Sequence, residues 1–322
     1  MMKSVLILGK HGQVATSIKN LAPSHLSKIN FIFLSRNSID LSESIRSKFL
    51  KIINQYNPLL VINTAAYTKV DLAEKEKELA SQINGKSVGV IAEICGKKGI
   101  PLFHISTDYV FDGTSISDIS PSDKTKPLCS YGKSKLLGEK LITKSIDNFG
   151  TKALVIRTSW VFSSHGDNFV HKILKLAKGK SDIRVVSDQF GGPTSSDSIA
   201  LALLKLIDFG INNQHPTIKY KPFPWGTFHF QGKPVVNWNQ FASNIMNDAL
   251  SIGLIDRSRK VLETSTANFT TPAKRPLNCS LNCTSSEKEL GLILPDWRKD
   301  LQVVLDQIFN SHNKNNFESL ED

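Results

Sequence analysis

Tyr131-Gly132-Lys133-Ser134-Lys135 puts a phenol and an ammonium four residues apart. On a helix, that spacing sets both groups on one face. Ser106-Thr107-Asp108-Tyr109 comes about two dozen residues earlier. A free tyrosine loses its proton only near pH 10, as a rough figure. A neighbouring ammonium favours the phenolate and pulls that value down. General acid catalysis gains when the donor's pKa approaches the working pH. Tyr131 is therefore a candidate proton donor to a carbonyl oxygen, with Lys135 tuning it. Thr107 closes the apolar run Ile100-Pro101-Leu102-Phe103-His104-Ile105, which reads as a buried strand. Its hydroxyl can hold the substrate oxygen beside Tyr131. Tyr-x-x-x-Lys arises by chance in many helices, so the pair needs matching company elsewhere.

The N-terminus supplies it. Val5-Leu6-Ile7-Leu8 is an apolar run, Gly9-Lys10-His11-Gly12-Gln13-Val14-Ala15 follows at once, and a helical pattern continues to Leu21. Strand, glycine turn and helix form the context of a dinucleotide-binding loop. Gly9 permits the tight turn and Gly12 the close approach of backbone to pyrophosphate. The free N–H groups of the helix start attract that anion. Ala15 takes the third small position, where the helix packs on the strand. His11, Gln13 and Val14 complete the loop. With a nicotinamide bound here, Lys135 gains a second role, donating to the cofactor ribose.

Phe31-Ile32-Phe33-Leu34 reads as the next strand and ends at Ser35-Arg36. An acidic residue there would grip a ribose 2′-hydroxyl, whereas serine and arginine suit a 2′-phosphate. The expectation is NADPH, with NADH possible. The alternative is that Arg36 is a solvated loop residue. Ile39-Asp40-Leu41-Ser42 has the look of a helix cap, with Asp40 and Leu41 also placed to approach the adenine. Leu59 to Tyr67 is another strand-like run. Its small terminal residues Ala65 and Ala66, followed by Tyr67, leave room for a cofactor at the strand's carboxyl end.

Apolar strands near 4–8, 31–34, 59–63, 101–105 and 153–158 alternate with helical stretches. That alternation predicts an α/β fold, a Rossmann-type doubly wound parallel sheet. The predicted division is a cofactor-binding core over 1–162 and a smaller C-terminal substrate lobe, mainly 163–309, with parts returning to the core sheet. Residues 310–322 are polar and expected to be a disordered tail. Residues 112–127 and 212–226 read as loops, and 261–285 as an extended segment.

With 322 residues and 40% hydrophobic content, the chain can bury a large core. No apolar run approaches the roughly 18 residues that a membrane span needs. The first strand begins so early that no signal peptide is expected. The four cysteines are dispersed, and Cys279 and Cys283 lack Cys-x-x-Cys spacing. The expectation is free thiols, a cytoplasmic setting and no metal. The net charge of +11 is spread along the chain without a dense basic block. That argues against nucleic acid and leaves two readings: a cleft that attracts polyanions, or a lysine-rich surface with no specific role.

Further strings strengthen the pattern. Asn63-Thr64-Ala65-Ala66-Tyr67-Thr68-Lys69-Val70-Asp71, Ser106-Thr107-Asp108-Tyr109-Val110-Phe111-Asp112-Gly113 and Tyr131-Gly132-Lys133-Ser134-Lys135 stand in order along the chain. Arg157-Thr158-Ser159-Trp160, Asn168-Phe169, Val185 to Thr194, Phe228-His229-Phe230, Thr271 to Pro276 and Leu294-Pro295-Asp296-Trp297 follow. Taken together they resemble the extended short-chain dehydrogenase/reductase family, in its branch that reduces 4-keto nucleotide sugars. The resemblance runs from Val5 to Phe309. It implies a dTDP-sugar substrate, reduction at C4 of dTDP-6-deoxy-L-lyxo-4-hexulose, and a monomer or homodimer that uses neither membrane nor nucleic acid; the alternatives are a reductase or epimerase of another 4-keto nucleotide sugar, or a non-catalytic cofactor-binding regulatory subunit. It implies substrate contacts by Thr68, Val70, Thr107, Asp108, Trp160, Asn168 and Phe169.

Some of these residues carry two readings. Trp160 contacts the sugar or is a core ring. Asp108 positions Thr107 or the sugar, or caps the following turn. Arg275 pairs with a diphosphate or with a structural carboxylate. Asn84 holds a helix distortion with a relay water, or is a helix-face amide. Some relatives bind magnesium through a glutamate two residues beyond the Ala15 position. Here that residue is Ser17, so no such metal is expected.

Overall fold

The computed structural model describes residues 3–26, 28–257 and 259–318. Six strands form the central sheet: β1 (Lys3–Leu8), β2 (Ile29–Leu34), β3 (Leu60–Asn63), β4 (Leu102–Thr107), β5 (Ala153–Thr158) and β6 (Gly226–His229). Their order is β2-β1-β3-β4-β5-β6, and every neighbouring pair is parallel. Side chains alternate between the two faces. Val5 and Ile7 of β1 pack toward α1 (Gln13–His25) and α6 (Ser196–Asn212). Leu6 and Leu8 pack toward α2 (Arg46–Tyr56) and α3 (Ser87–Lys97) on the other face. With both faces covered, the strands read as continuous apolar runs. That is why five of them were visible in the sequence. The sixth has four residues behind a polar loop and gives a weaker signal.

The chain leaves β1 for β2 on one side and then returns to β3 on the other. Strand order reverses between β1 and β3, which opens a crevice at their carboxyl ends. Helix α4 (Ser130–Phe149) crosses the sheet after β4. A third core lies beyond the sheet. It unites Phe162 with α5 (Phe169–Ala177), α7 (Trp238–Ser251) and α8 (Trp297–Glu318).

Two expectations change. Residues 310–318 continue α8 rather than forming a disordered tail, because no glycine or proline interrupts the helix that Leu301, Val304, Leu305 and Ile308 anchor. The remaining tail, 319–322, lies outside the described residues. Residues 39–42 form a turn and not a helix cap: Asp40 accepts from the Ser42 amide (2.9 Å) and hydroxyl (2.7 Å), and α2 begins only at Arg46. All four cysteines are free and buried. Among the described residues no helix is long and apolar enough to cross a membrane.

Candidate active site

The glycine loop lies at the strand-order reversal. Gly9 has φ +98°, and a Cβ there would meet the Ala65 backbone nitrogen at 2.8 Å. The ends of β1 and β3 are thus in backbone contact. Thr64 Oγ1 locks them further by donating to the Leu8 carbonyl (2.7 Å). Gly12 precedes α1 with no side-chain cap, so the first-turn N–H groups stay open toward the crevice. These features fit a pyrophosphate: a cradle only glycine can line, facing an uncapped helix start. Val14 is buried in the core, and His11 is exposed at the turn. Gly9→Ala is expected to weaken NADPH binding by about tenfold or more while the protein stays folded, because φ > 0 and the contact both oppose a methyl group. Fluorescence titration checks this, and unchanged affinity would contradict it.

At the end of β2, Arg36 is exposed and reaches Asp40 at 3.3 Å. The amides of Gly9 and Lys10 both donate to the Leu34 carbonyl (3.1 Å each). Lys10 and Arg36 therefore flank one rim of the crevice. Asp40 stays ionised because Ser42 and then Arg36 favour its charge. Leu41 is buried, and its carbonyl accepts from Ser87 Oγ (2.7 Å). Ala65, Ala66 and Tyr67 line the adjoining edge beyond β3, each half-buried.

Thr107 ends β4, buried, and its hydroxyl lies beside the Tyr131 phenol on α4, near enough to ease its ionisation. The Tyr109 ring meets the Tyr131 ring edge-on, at 5.6 Å between centroids. Burial moves the Tyr131 phenol well above its ordinary range, and the Thr107 hydroxyl opposes only part of that. Lys135 is not among the groups that shift the Tyr131 phenol. Lys135 Nζ donates to the Ile105 carbonyl (2.6 Å) and lies 3.5 Å from His104 Nε2. Burial pushes Lys135 down to about 8, against the pull of Glu139.

Asn84 has the distorted-helix setting: a single π turn spans Gln82–Lys86. Its side chain clamps the Tyr67 backbone, accepting from the amide (2.8 Å) and donating to the carbonyl (2.9 Å). It also donates to Ser134 Oγ (3.0 Å), which donates to the Tyr131 carbonyl (2.7 Å). One buried amide thus ties the cofactor edge to the first turn of α4.

Asp108 is 2% exposed. One carboxylate oxygen accepts from Thr107 Oγ1 (2.9 Å); Oδ2 has no well-formed hydrogen bond, though the Cys279 thiol faces it. Burial raises Asp108 to about 6, with Cys279 and Thr107 holding it back. The folded state therefore keeps a proton that the unfolded chain releases between about pH 4 and 6. Stability falls as pH rises through that window, and the full penalty applies above it. Asp108→Asn is expected to stabilise the protein at pH 7, by roughly 1–3 kcal/mol, and not at pH 4. Urea midpoints at the two pH values check this, and an equal effect at both would contradict it.

Arg275 takes the structural reading. Its guanidinium grips Asp71 through Nη1 (3.1 Å) and Nη2 (2.8 Å), binding the segment after β3 to residues 273–275. Thr68 and Val70 stand on that same segment, Thr68 exposed. Trp160 follows β5 in a left-handed backbone conformation (φ +46°), which a bulky residue adopts only at a cost. Its ring stacks on Trp238 at 3.6 Å, and Phe169 meets Trp238 at 4.4 Å. Asn168 caps α5 and donates to the carbonyls of Ser163 (2.9 Å) and His165 (3.3 Å). Ser163 donates to Gln13 Oε1 (2.7 Å), and His165 Nε2 donates to the Gln13 carbonyl (3.0 Å). The glycine loop and the Asn168-Phe169 segment are thereby joined across the crevice.

A family model described as RmlD substrate binding domain matches residues 2–310. The chain belongs to this family. A curated dTDP-4-dehydrorhamnose reductase of Aggregatibacter actinomycetemcomitans is 35% identical over 303 residues, covering 94% of this chain and 98% of the relative. A crystal structure of dTDP-4-dehydrorhamnose reductase from Clostridium acetobutylicum superposes with TM-score 0.81 at 32% identity, covering 94% of this chain and 98% of that one. The Bacillus anthracis dTDP-4-dehydrorhamnose reductase, solved in complex with NADP, gives TM-score 0.82 at 28% identity, with 95% and 100% covered.

In this RmlD-family chain, Ser17 is fully buried and bonded to Ser196 Oγ (2.7 Å), tying α1 to α6. Among the described residues no cluster of His, Cys, Asp or Glu is arranged to hold a metal. Sequence reasoning missed Trp238, Ser163, His165 and the Asn63–His104 pair. Trp238 directly follows the cap Asn237 and carries no local motif. The others become neighbours only through contacts between distant segments.

Proposed function

We propose that this chain reduces the C4 ketone of dTDP-6-deoxy-L-lyxo-4-hexulose (dTDP-4-dehydro-L-rhamnose) to dTDP-L-rhamnose with NADPH. The observation that carries the reading is the Thr107–Tyr131 hydroxyl pair at the carboxyl end of β4, beside a crevice lined by the Gly9–Gly12 turn and an open helix start. NADPH, when bound, supplies the hydride. The loop Gly9, His11, Gly12, Gln13 and Val14 would hold its pyrophosphate, and Lys10 with Arg36 the 2′-phosphate. Asp40 and Leu41 border the adenine side; Ala65, Ala66 and Tyr67 border the nicotinamide side, where Lys135 would reach the ribose.

Tyr131 stays a neutral phenol at physiological pH and gives its proton to the ketone oxygen. Thr107 orients that oxygen. Thr68, Val70, Asp108, Trp160, Asn168 and Phe169 form the sugar and nucleotide side. The names of the relatives and the NADP complex of the B. anthracis enzyme support this reading. The buried free thiols suit a reducing compartment, so the proposed setting is the cytoplasm.

The test is NADPH consumption with enzymatically generated dTDP-4-dehydro-L-rhamnose, with NADH in parallel. Turnover dependent on the sugar is expected, and tight NADPH binding without turnover would overturn the substrate assignment. Arg36→Ala is expected to raise the KM for NADPH about tenfold and leave that for NADH nearly unchanged, since a charge-assisted phosphate contact has about that worth. Equal effects on both cofactors would remove Arg36 from the 2′-phosphate site.

A further inference from the structure

A buried polar chain runs under the proposed site and has no part in the steps above. The Ala65 amide donates to Asn63 Oδ1 (3.1 Å). Asn63 Nδ2 faces His104 Nδ1 (3.1 Å), and His104 Nε2 faces Lys135 Nζ (3.5 Å). Asn63 and His104 are fully buried, and Lys135 is 2% exposed.

The orientation of each member follows from its neighbour. An amide N–H can only donate, so the Ala65 contact fixes which end of the Asn63 side chain is the oxygen. The other end, an NH₂, can only donate to His104 Nδ1. That nitrogen must then be an acceptor without a proton. Burial holds His104 neutral. A neutral imidazole carries one proton, so it sits on Nε2. Nε2–H therefore points at Lys135. Two donors cannot bond each other; an amine accepts this N–H, and an ammonium does not.

We propose that His104 is a positioning residue for Lys135: Ala65 and Asn63 hold its imidazole in the Nε2–H tautomer, and that N–H favours the amine form of Lys135. Other groups near Lys135 carry or can gain charge. Glu139 lies one turn later on α4, paired with Arg157 of β5, and favours the ammonium. Tyr131 lies one turn earlier on α4 and is neutral. His104 on β4 thus opposes Glu139 across the lysine. Because the chain begins at Ala65, on the cofactor edge, the same backbone that borders the nicotinamide sets the lysine's proton balance. The kinetic consequence rests on the reductase reading; the tautomer does not.

The experiment uses the full chain in two ways. In protein labelled with ¹⁵N-histidine, the His104 signals are assigned by their loss in His104→Asn. Nδ1 is expected to be unprotonated and Nε2 protonated. The opposite tautomer would overturn the proposal whether or not the enzyme turns over the sugar. For the kinetics, asparagine retains an acceptor where Nδ1 stood, and glutamine retains a donor where Nε2–H stood. His104→Asn is expected to move the alkaline limb of kcat/KM upward by about one pH unit, the effect of one lost hydrogen bond. His104→Gln is expected to keep the limb near that of the native enzyme. A limb unmoved in both variants, or moved equally in both, would contradict the proposal, because a merely structural role for His104 does not distinguish them.

Discussion

Tyr131→Phe is expected to lower kcat by about 10²–10⁴-fold, the usual worth of one positioned general acid. NADPH affinity should change little, because the phenol faces Thr107 rather than the glycine loop. The direction of catalysis follows from its environment. Burial raises Tyr131 well above its ordinary range, so the phenol holds its proton until a ketone oxygen gains charge beside it. Removing the hydroxyl removes the donor and leaves the ring packing against Tyr109. Lys135 would still be present, yet its Nζ is bound to the Ile105 carbonyl and cannot substitute in place. Stopped-flow turnover with a parallel NADPH titration checks both halves. Near-normal turnover would end the role of Tyr131, and a large loss of cofactor affinity would mean that it acts in binding.

Glu139→Ala is expected to destabilise the protein by about 3–5 kcal/mol, the cost of leaving a buried charge without its partner. Arg157 and Glu139 are almost fully buried and meet at 2.7 Å, with further bonds through Arg157 Nε and Ser106 Oγ. The same guanidinium donates to the Pro121 carbonyl (3.1 Å) and lies over the Phe111 ring (5.1 Å). Glu139 thus joins α4 to β4, β5 and the loop before the helix. Without it, Arg157 has no second carboxylate within reach among its described partners. The loss extends to function, since Tyr131 and Lys135 ride on the same helix. Urea unfolding measures the effect. A change below about 1 kcal/mol, the size expected of an exposed pair, would show that Arg157 finds water or another partner.

The parts of the site that lie on one local element were legible in the sequence. The Gly9–Gly12 turn announces itself because a strand and a helix flank it. Tyr131 and Lys135 share a helix, and Thr107 ends a continuous apolar strand. Groups oriented by distant segments were not legible. Spacing alone put Lys135 beside Tyr131, whereas its Nζ goes to the Ile105 carbonyl and His104. Arg275 had two equally reasonable partners until the fold brought Asp71 to it, 204 positions away. Trp160 is positioned by stacking on Trp238 and by a left-handed backbone, neither of which leaves a sequence signal. Sheet strands were readable because both faces are buried. The tail was misjudged because polar composition suggests disorder even where an anchored helix simply continues.

As a reductase, this chain delivers hydride to C4 of a dTDP-linked 4-keto sugar. The most direct measurement uses NADPH deuterated at the transferable position, with dTDP-4-dehydro-L-rhamnose, followed by mass and NMR analysis of the sugar product. dTDP-L-rhamnose with one deuterium at C4 is expected. Product without deuterium, or with the label at another carbon, would contradict it.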